Sequence, residues 1–137
     1  MNYYVDSCVW IDFLENRKSG LIPIGEFAFV FFKKCKQTKS KIYFSNLVFK
    51  EISKYLSKEK INFFLNDFSE IIVFVEYSKE QISLAKKLSN ELESIHFSDA
   101  LHAVIAKEND CVLITRDNHF DELSFFVEVC LPEEVLG

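Results

Sequence analysis

Hydrophobic positions along this chain follow two rhythms. Short runs rich in aromatic and β-branched residues suit strands, and longer stretches repeat apolar residues every three or four positions, as helices do. Asn2–Val5 (N-Y-Y-V) is the first strand-like run. Asp6 or Ser7 can cap the helix that follows it, to about Asn16. Gly20 and Pro23 break the chain, and Ile24 to Thr38 predicts a helix through Phe27, Val30, Phe31 and Cys35. Lys41–Ser45 is a second short strand, and Asn46 to Ser57 a helix with Val48, Ile52, Tyr55 and Leu56 on its buried stripe. Lys60 to Phe68 gives a further short helix. Glu70–Glu76 (E-I-I-V-F-V-E) is the strongest strand pattern, since a continuous apolar run suits a strand covered on both faces. Ser78 to Glu93 and Ser98 to Asn109 are helical in phase. Cys111–Thr115 is a fourth buried strand, Phe125–Cys130 a fifth, and Pro132 to Leu136 a terminal helical turn.

Strands alternating with helices predict an α/β fold: three layers, α/β/α, with a mostly parallel central sheet of four to five strands. The 137 residues are expected to form a single domain, and the 49% hydrophobic content supplies a core without disulfides or zinc. Cys8, Cys35, Cys111 and Cys130 form no C-x-x-C pair and have no zinc-finger spacing, so free thiols are expected. With no secretory leader legible, the expected setting is the cytoplasm. The most apolar run, Phe27 to Phe32, is short and followed by Lys33 and Lys34, so no membrane span is expected.

Charge is unevenly placed. The net charge is −5, yet residues 1–60 hold eleven Lys and Arg against six Asp and Glu, and residues 61–137 hold five against fifteen. The lysines of the first part form a solvated face or a surface for phosphate backbones.

Against this frame four acids stand out. Asp6 follows the first strand, and Asp117 follows the Cys111–Thr115 strand by one residue. Asp99 lies in the first turn of a helix, and Glu51 about one turn into the helix after Lys41–Ser45. Sites in open α/β sheets form beyond the carboxyl ends of the strands, and right-handed crossovers start these helices at that edge. All four carboxylates can therefore converge. Singly, each has a plainer role as a helix cap, an acid near a helix N-terminus or a partner for Lys50 or Lys54. Jointly, they cannot stay ionised together unaided, because two like charges 4 Å apart repel by ~4 kcal/mol at an effective dielectric of 20. Hard oxygen ligands select Mg²⁺, with Mn²⁺ as a substitute, and such an ion suits phosphodiester hydrolysis.

Three stretches carry a family resemblance. They are Asp6-Ser7-Cys8-Val9-Trp10-Ile11-Asp12, Ser45-Asn46-Leu47-Val48-Phe49-Lys50-Glu51, and Ser98-Asp99-Ala100-Leu101-His102-Ala103 continuing to Leu113-Ile114-Thr115-Arg116-Asp117-Asn118-His119-Phe120. Over nearly the whole chain the sequence resembles the PIN-domain ribonucleases, in particular VapC-like toxins of prokaryotic toxin–antitoxin pairs. Cys8 and Val48 depart from the family pattern, as does the lack of Pro-Gly after Leu123. The resemblance implies a PIN-like fold and a Mg²⁺-dependent endoribonuclease with Asp6, Glu51, Asp99 and Asp117 as catalytic and metal-holding residues. It implies products with 5′-phosphate and 3′-hydroxyl ends, and support of the site by Ser7. It also implies an RNA substrate, an antitoxin partner and a homodimer. The surplus of rings at Phe27, Phe29, Phe31 and Phe32 fits such an assembly.

Other residues carry weaker expectations. Thr115 and Asn118 are candidates to support the acids from behind or are turn residues, and Asp121 is a candidate to orient the Asp117 loop or an acid at a helix N-terminus. Asp12 is expected at the surface, and His102 as a packed or surface ring turned away from Asp99. His96, His102 and His119 are not spaced as a metal trio. A phosphoacceptor receiver domain is excluded: it needs paired acids after the first strand and a Lys after the fifth. A housekeeping RNA-processing nuclease and a non-catalytic acidic patch that docks a basic peptide remain open alternatives.

Overall fold

The computed structural model describes residues 1–136. Its strands are β1 (Asn2–Val5), β2 (Lys41–Ser45), β3 (Ile72–Val75), β4 (Val112–Ile114) and β5 (Val129–Cys130). They form one sheet in the order β3-β2-β1-β4-β5, and every neighbouring pair is parallel. The helices are α1 (Ser7–Glu15), α2 (Ile24–Thr38), α3 (Asn46–Ile52), α4 (Lys58–Asp67), α5 (Lys79–Glu91), α6 (Phe97–Glu108) and α7 (Pro132–Leu136), with a 3₁₀ turn at Asn118–Leu123. The expected α/β class with a parallel sheet is what the chain forms.

β1 is the central strand. Tyr3 registers with Ile42 on one side and Val112 on the other, and Tyr4 with Tyr43 and Leu113. Burial on both faces explains why its residues are apolar without alternation. Trp10, Phe31, Phe32, Phe44 and Phe68 extend the core as tilted and edge-to-face aromatic pairs. α1 packs on α2, α5 on α6, and α7 on α2. The joint between α1 and α2 is tight. A Cβ on Gly25 would lie 2.6 Å from both Asn16 Cα and the Asp12 carbonyl oxygen, so only glycine fits.

Three elements depart from the sequence-based reading by more than a shift of a residue or two at an end. The helix after β2 ends at Ile52 rather than Ser57. The Ser53 hydroxyl donates to the Phe49 carbonyl at 2.6 Å, and the chain turns there, leaving Tyr55 64% exposed rather than on the buried stripe. β3 is not covered on both faces: it is a sheet edge, with Phe74 68% exposed. A β-branched run favours a strand in either place and does not encode its position in the sheet. β5 keeps only Val129–Cys130, because Phe126 and Val127 bond back to the Leu123 carbonyl in a turn.

Asp12 is buried rather than at the surface. It lies beneath Arg116, whose Nε is 3.9 Å from Asp12 Oδ2 and whose Nη1 and Nη2 donate to Glu133 at 2.9 and 2.6 Å. Burial raises the Asp12 pKa, opposed by the charges of Arg116 and Arg17. Arg116 thus ties α7 back to α1. No described helix is long and apolar enough to cross a membrane.

Candidate functional site

The acids reach one edge because four segments deliver them there. Asp6 is the N-cap of α1, straight off β1, and its Oδ1 accepts the Ser7 N–H at 2.8 Å. Glu51 lies in the last turn of α3, whose N-cap Ser45 ends β2. Asp99 is in the first turn of α6. Asp117 caps the 3₁₀ turn after β4 and accepts the His119 N–H at 2.9 Å. All four line one open cleft of ≈ 430 Å³, together with Ser7 and His102.

Within the cleft the acids form two subgroups. Carboxylate oxygens of Asp6 and Glu51 lie with a His102 nitrogen inside 4.8 Å of one another. Those of Asp99 and Asp117 do the same with a His119 nitrogen. His119 Nδ1 is 3.0 Å from Asp117 Oδ1, but its ring is largely exposed. The two subgroups feel each other: burial raises the Asp99 pKa first, and the charges of Asp117 and Asp6 raise it further.

Asp6 is held from behind. Thr115, buried at the end of β4, donates its hydroxyl to Asp6 Oδ2 at 2.9 Å and accepts the Asp117 N–H at 3.0 Å. One hydroxyl therefore couples two of the four acids. The Cys8 thiol also donates to Asp6 Oδ2, at 3.2 Å, and burial lifts its pKa far from the thiolate range. Ser7 donates its hydroxyl to Glu51 Oε1. Asp121, by contrast, is exposed in the first turn of Asn118–Leu123 and does not line the cleft. Asn118 is likewise an exposed turn residue.

His102 is packed, as one of the sequence-based expectations had it, but it is not turned away from the site. It is almost fully buried. Its Nε2 lies 2.7 Å from Glu51 Oε1 and 3.6 Å from Asp6 Oδ1. Its Nδ1 is 2.6 Å from the Tyr4 hydroxyl, which is 2.8 Å from Ser45 Oγ. An ionised carboxylate only accepts, so Nε2 carries a proton and donates it to Glu51. Burial disfavours the imidazolium, yet the Glu51 hydrogen bond and the charges of Asp6, Glu51 and Asp99 outweigh it and raise the His102 pKa. Burial works against the Glu51 carboxylate as well, but the hydrogen bond and charge of His102 prevail and lower its pKa. The missed signal was spacing: positions i and i+3 are neighbours on a helix, so Asp99 and His102 share a side of α6 rather than facing apart.

The donor set suits a hard divalent cation. Carboxylate oxygens dominate it, two backbone turns hold them in place, and repulsion marks the Asp99 side of the cleft. Lys54 and Arg17 stand at the rim.

The PIN domain family model matches residues 3–126. Comparison with curated protein sequences returns no match. Among solved structures the chain is similar to VapBC2 from Rickettsia felis bound to a promoter DNA fragment, at 18% identity, covering 96% of this chain and 98% of that one, with a TM-score of 0.71. It is also similar to VapBC-1 from nontypeable Haemophilus influenzae, at 18% identity, 97% and 99% coverage and a TM-score of 0.67. A toxin–antitoxin complex from Klebsiella pneumoniae matches at 18% identity, 95% and 97% coverage and a TM-score of 0.62. Likeness at these identities concerns the fold.

Proposed function

This chain belongs to the PIN domain family, and from that premise we propose that it is a Mg²⁺-dependent endoribonuclease, the toxin of a VapBC-type pair. One observation supports the reading most: carboxylates from four separate segments line a single cleft, and burial, with the charges of Asp117 and Asp6, disfavours the ionised form of Asp99. A structural cap needs no such company. In this proposal Asp6, Asp99 and Asp117 hold the principal ion, and Glu51 orients a water or a second ion. Mn²⁺ substitutes for Mg²⁺. The ion, when bound, neutralises charge on the scissile phosphodiester and acidifies water.

The protein's own groups supply orientation. Ser7 and His102 both donate to Oε1 of Glu51, which leaves Oε2 free to face the cleft. Thr115 fixes Asp6 and the Asp117 backbone together. Asp121 has no part in the proposed site. The proposed setting is cytoplasmic, with an antitoxin as protein partner.

The test is cleavage of a broad RNA panel by purified protein with Mg²⁺, Mn²⁺ or EDTA. Cuts bearing 5′-phosphate and 3′-hydroxyl ends, lost in EDTA and in Asp6→Asn, are the expected result. An intact panel with either metal overturns the nuclease reading. A small basic reading frame just upstream would separate a toxin from a housekeeping nuclease.

A further inference from the structure

A second groove, of ≈ 510 Å³, adjoins the acidic cleft and shares Glu51 and Lys54 with it. Lys50 and Lys54 form one wall, at and just beyond the end of α3, and Lys86 of α5 stands on another. All three lysines are exposed. Two aromatic rings join them: Tyr77, half-buried after β3, and Phe97, 40% exposed as the first residue of α6. Phe97 is two positions before Asp99, so the groove and the acids meet at one helix end.

We infer that this groove seats the single-stranded RNA flanking the scissile phosphate. Lys50, Lys54 and Lys86 would meet backbone phosphates, and Phe97 would serve as a stacking platform for one base. The inference rests on the nuclease reading above and names where that site's substrate lies. Three features favour it. Lysines beside an exposed ring are the chemistry by which proteins hold single strands without reading sequence. Glu51 is the groove's one carboxylate, so the wall is cationic although residues 61–137 as a whole are strongly acidic. Continuity with the cleft through Glu51 and Lys54 gives an extended polyanion an unbroken path. The acids alone repel RNA, and the lysines beside them offset that repulsion.

The experiment measures binding of a fluorescently labelled single-stranded RNA in EDTA, where metal-dependent cleavage is off, across a range of salt concentrations. Lys50→Gln with Lys86→Gln is expected to weaken binding by about tenfold. The slope of log affinity against log salt should fall by roughly 1.4, at about 0.7 for each single-strand phosphate that is no longer neutralised. Phe97→Ala is expected to weaken binding roughly fivefold or more as the base loses its stacking platform. Lys86→Arg should retain affinity, and all variants should melt with the wild type. Unchanged affinity and slope in the lysine and Phe97 variants overturn the inference, even where the wild type cleaves RNA. Variants that keep RNA affinity but lose affinity for polyglutamate also overturn it, in favour of an acidic protein partner. A wild type that cleaves nothing, with RNA binding still lost in the variants, sustains the groove and sinks only the nuclease reading.

Discussion

Asp99 sits in the first turn of α6, where the positive helix end favours a carboxylate. Burial and then the charges of Asp117 and Asp6 nevertheless raise its pKa from the ordinary 3.8. The folded protein therefore holds that proton more tightly than the unfolded chain does, and metal-free stability falls as pH rises through the window above 3.8. His102 acts in the same direction: its pKa is raised from 6.5, so its contribution is full below that value and is lost as pH climbs through the raised one. Glu51 acts oppositely, because its pKa is lowered from 4.5 and its contribution is lost as pH falls through the lowered value. In EDTA the melting temperature should peak on the mildly acidic side of neutrality, and Mg²⁺ should lift the neutral side by binding the folded state. Asp99→Asn keeps the shape and removes one charge. In EDTA at pH 7 it should melt higher than the wild type, by up to about 1 kcal/mol after solvent screening, and respond little to Mg²⁺. A variant that melts lower and responds to Mg²⁺ as the wild type does would make Asp99 a simple cap. His102→Phe should weaken Mn²⁺ binding about 10- to 100-fold, as losing a partner that orients a ligand does, with His102→Gln recovering part of it. Calorimetric titration checks this, and wild-type affinity in the Phe variant would remove His102 from the site. The four acids were legible because each follows a recognisable strand end or helix start. The Ser45–Tyr4–His102–Glu51 chain was not, since hydrogen bonds between residues 41, 98 and 51 positions apart leave no mark on local spacing.

At the scale of elements, the joint between α1 and α2 gives a direct test of packing. Gly25 N–H donates to the Arg17 carbonyl at 2.8 Å, and the position of its missing Cβ is 2.6 Å from backbone atoms that no rotamer change can move. Gly25→Ala should destabilise by about 1–3 kcal/mol or more, the usual cost of forcing volume into a packed site. Gly20 has φ +62 with nothing within 4 Å, so alanine there should suffer backbone strain alone. Urea melts of the two variants separate clash from strain, and a fully stable Gly25→Ala would show that the helices can part. In the sequence, Gly25 lies inside a helical pattern and gives no hint of this close approach. What the sequence did carry is periodicity and capping. Ser45, Ser57 and Ser78 each accept an N–H from the third residue of the helix they cap, and those helices start close to where the pattern placed them. Sheet order was not carried, because Ile72–Val75 at the edge and Asn2–Val5 at the centre are both apolar runs.

For the whole molecule, the open question is what covers α2. Phe31 and Phe32 are fully buried, but on the same helix Phe29 is 49% exposed and Val30 47%. Leu21 and Ile22, in the turn just before it, are 99% and 53% exposed. The rings are thus not all consumed by the chain's own core: Leu21, Ile22, Phe29 and Val30 stay exposed, with the charged Glu26 between the two pairs. An exposed apolar surplus rimmed by polar residues marks association surfaces. We propose that this face is the seam of a homodimer. Light scattering should give about twice the chain mass at micromolar concentration, a range that an interface of roughly 1,200–2,000 Å² commonly supports. Phe29→Glu with Val30→Lys should yield a monomer. Both sites are already half exposed, so its melting temperature at low protein concentration should stay close to that of the wild type, and any drop should reflect the lost dimer rather than a damaged core. A wild type that is strictly monomeric removes the homodimer. If that monomer binds a co-expressed antitoxin and the double variant does not, the same face is the antitoxin's seat instead.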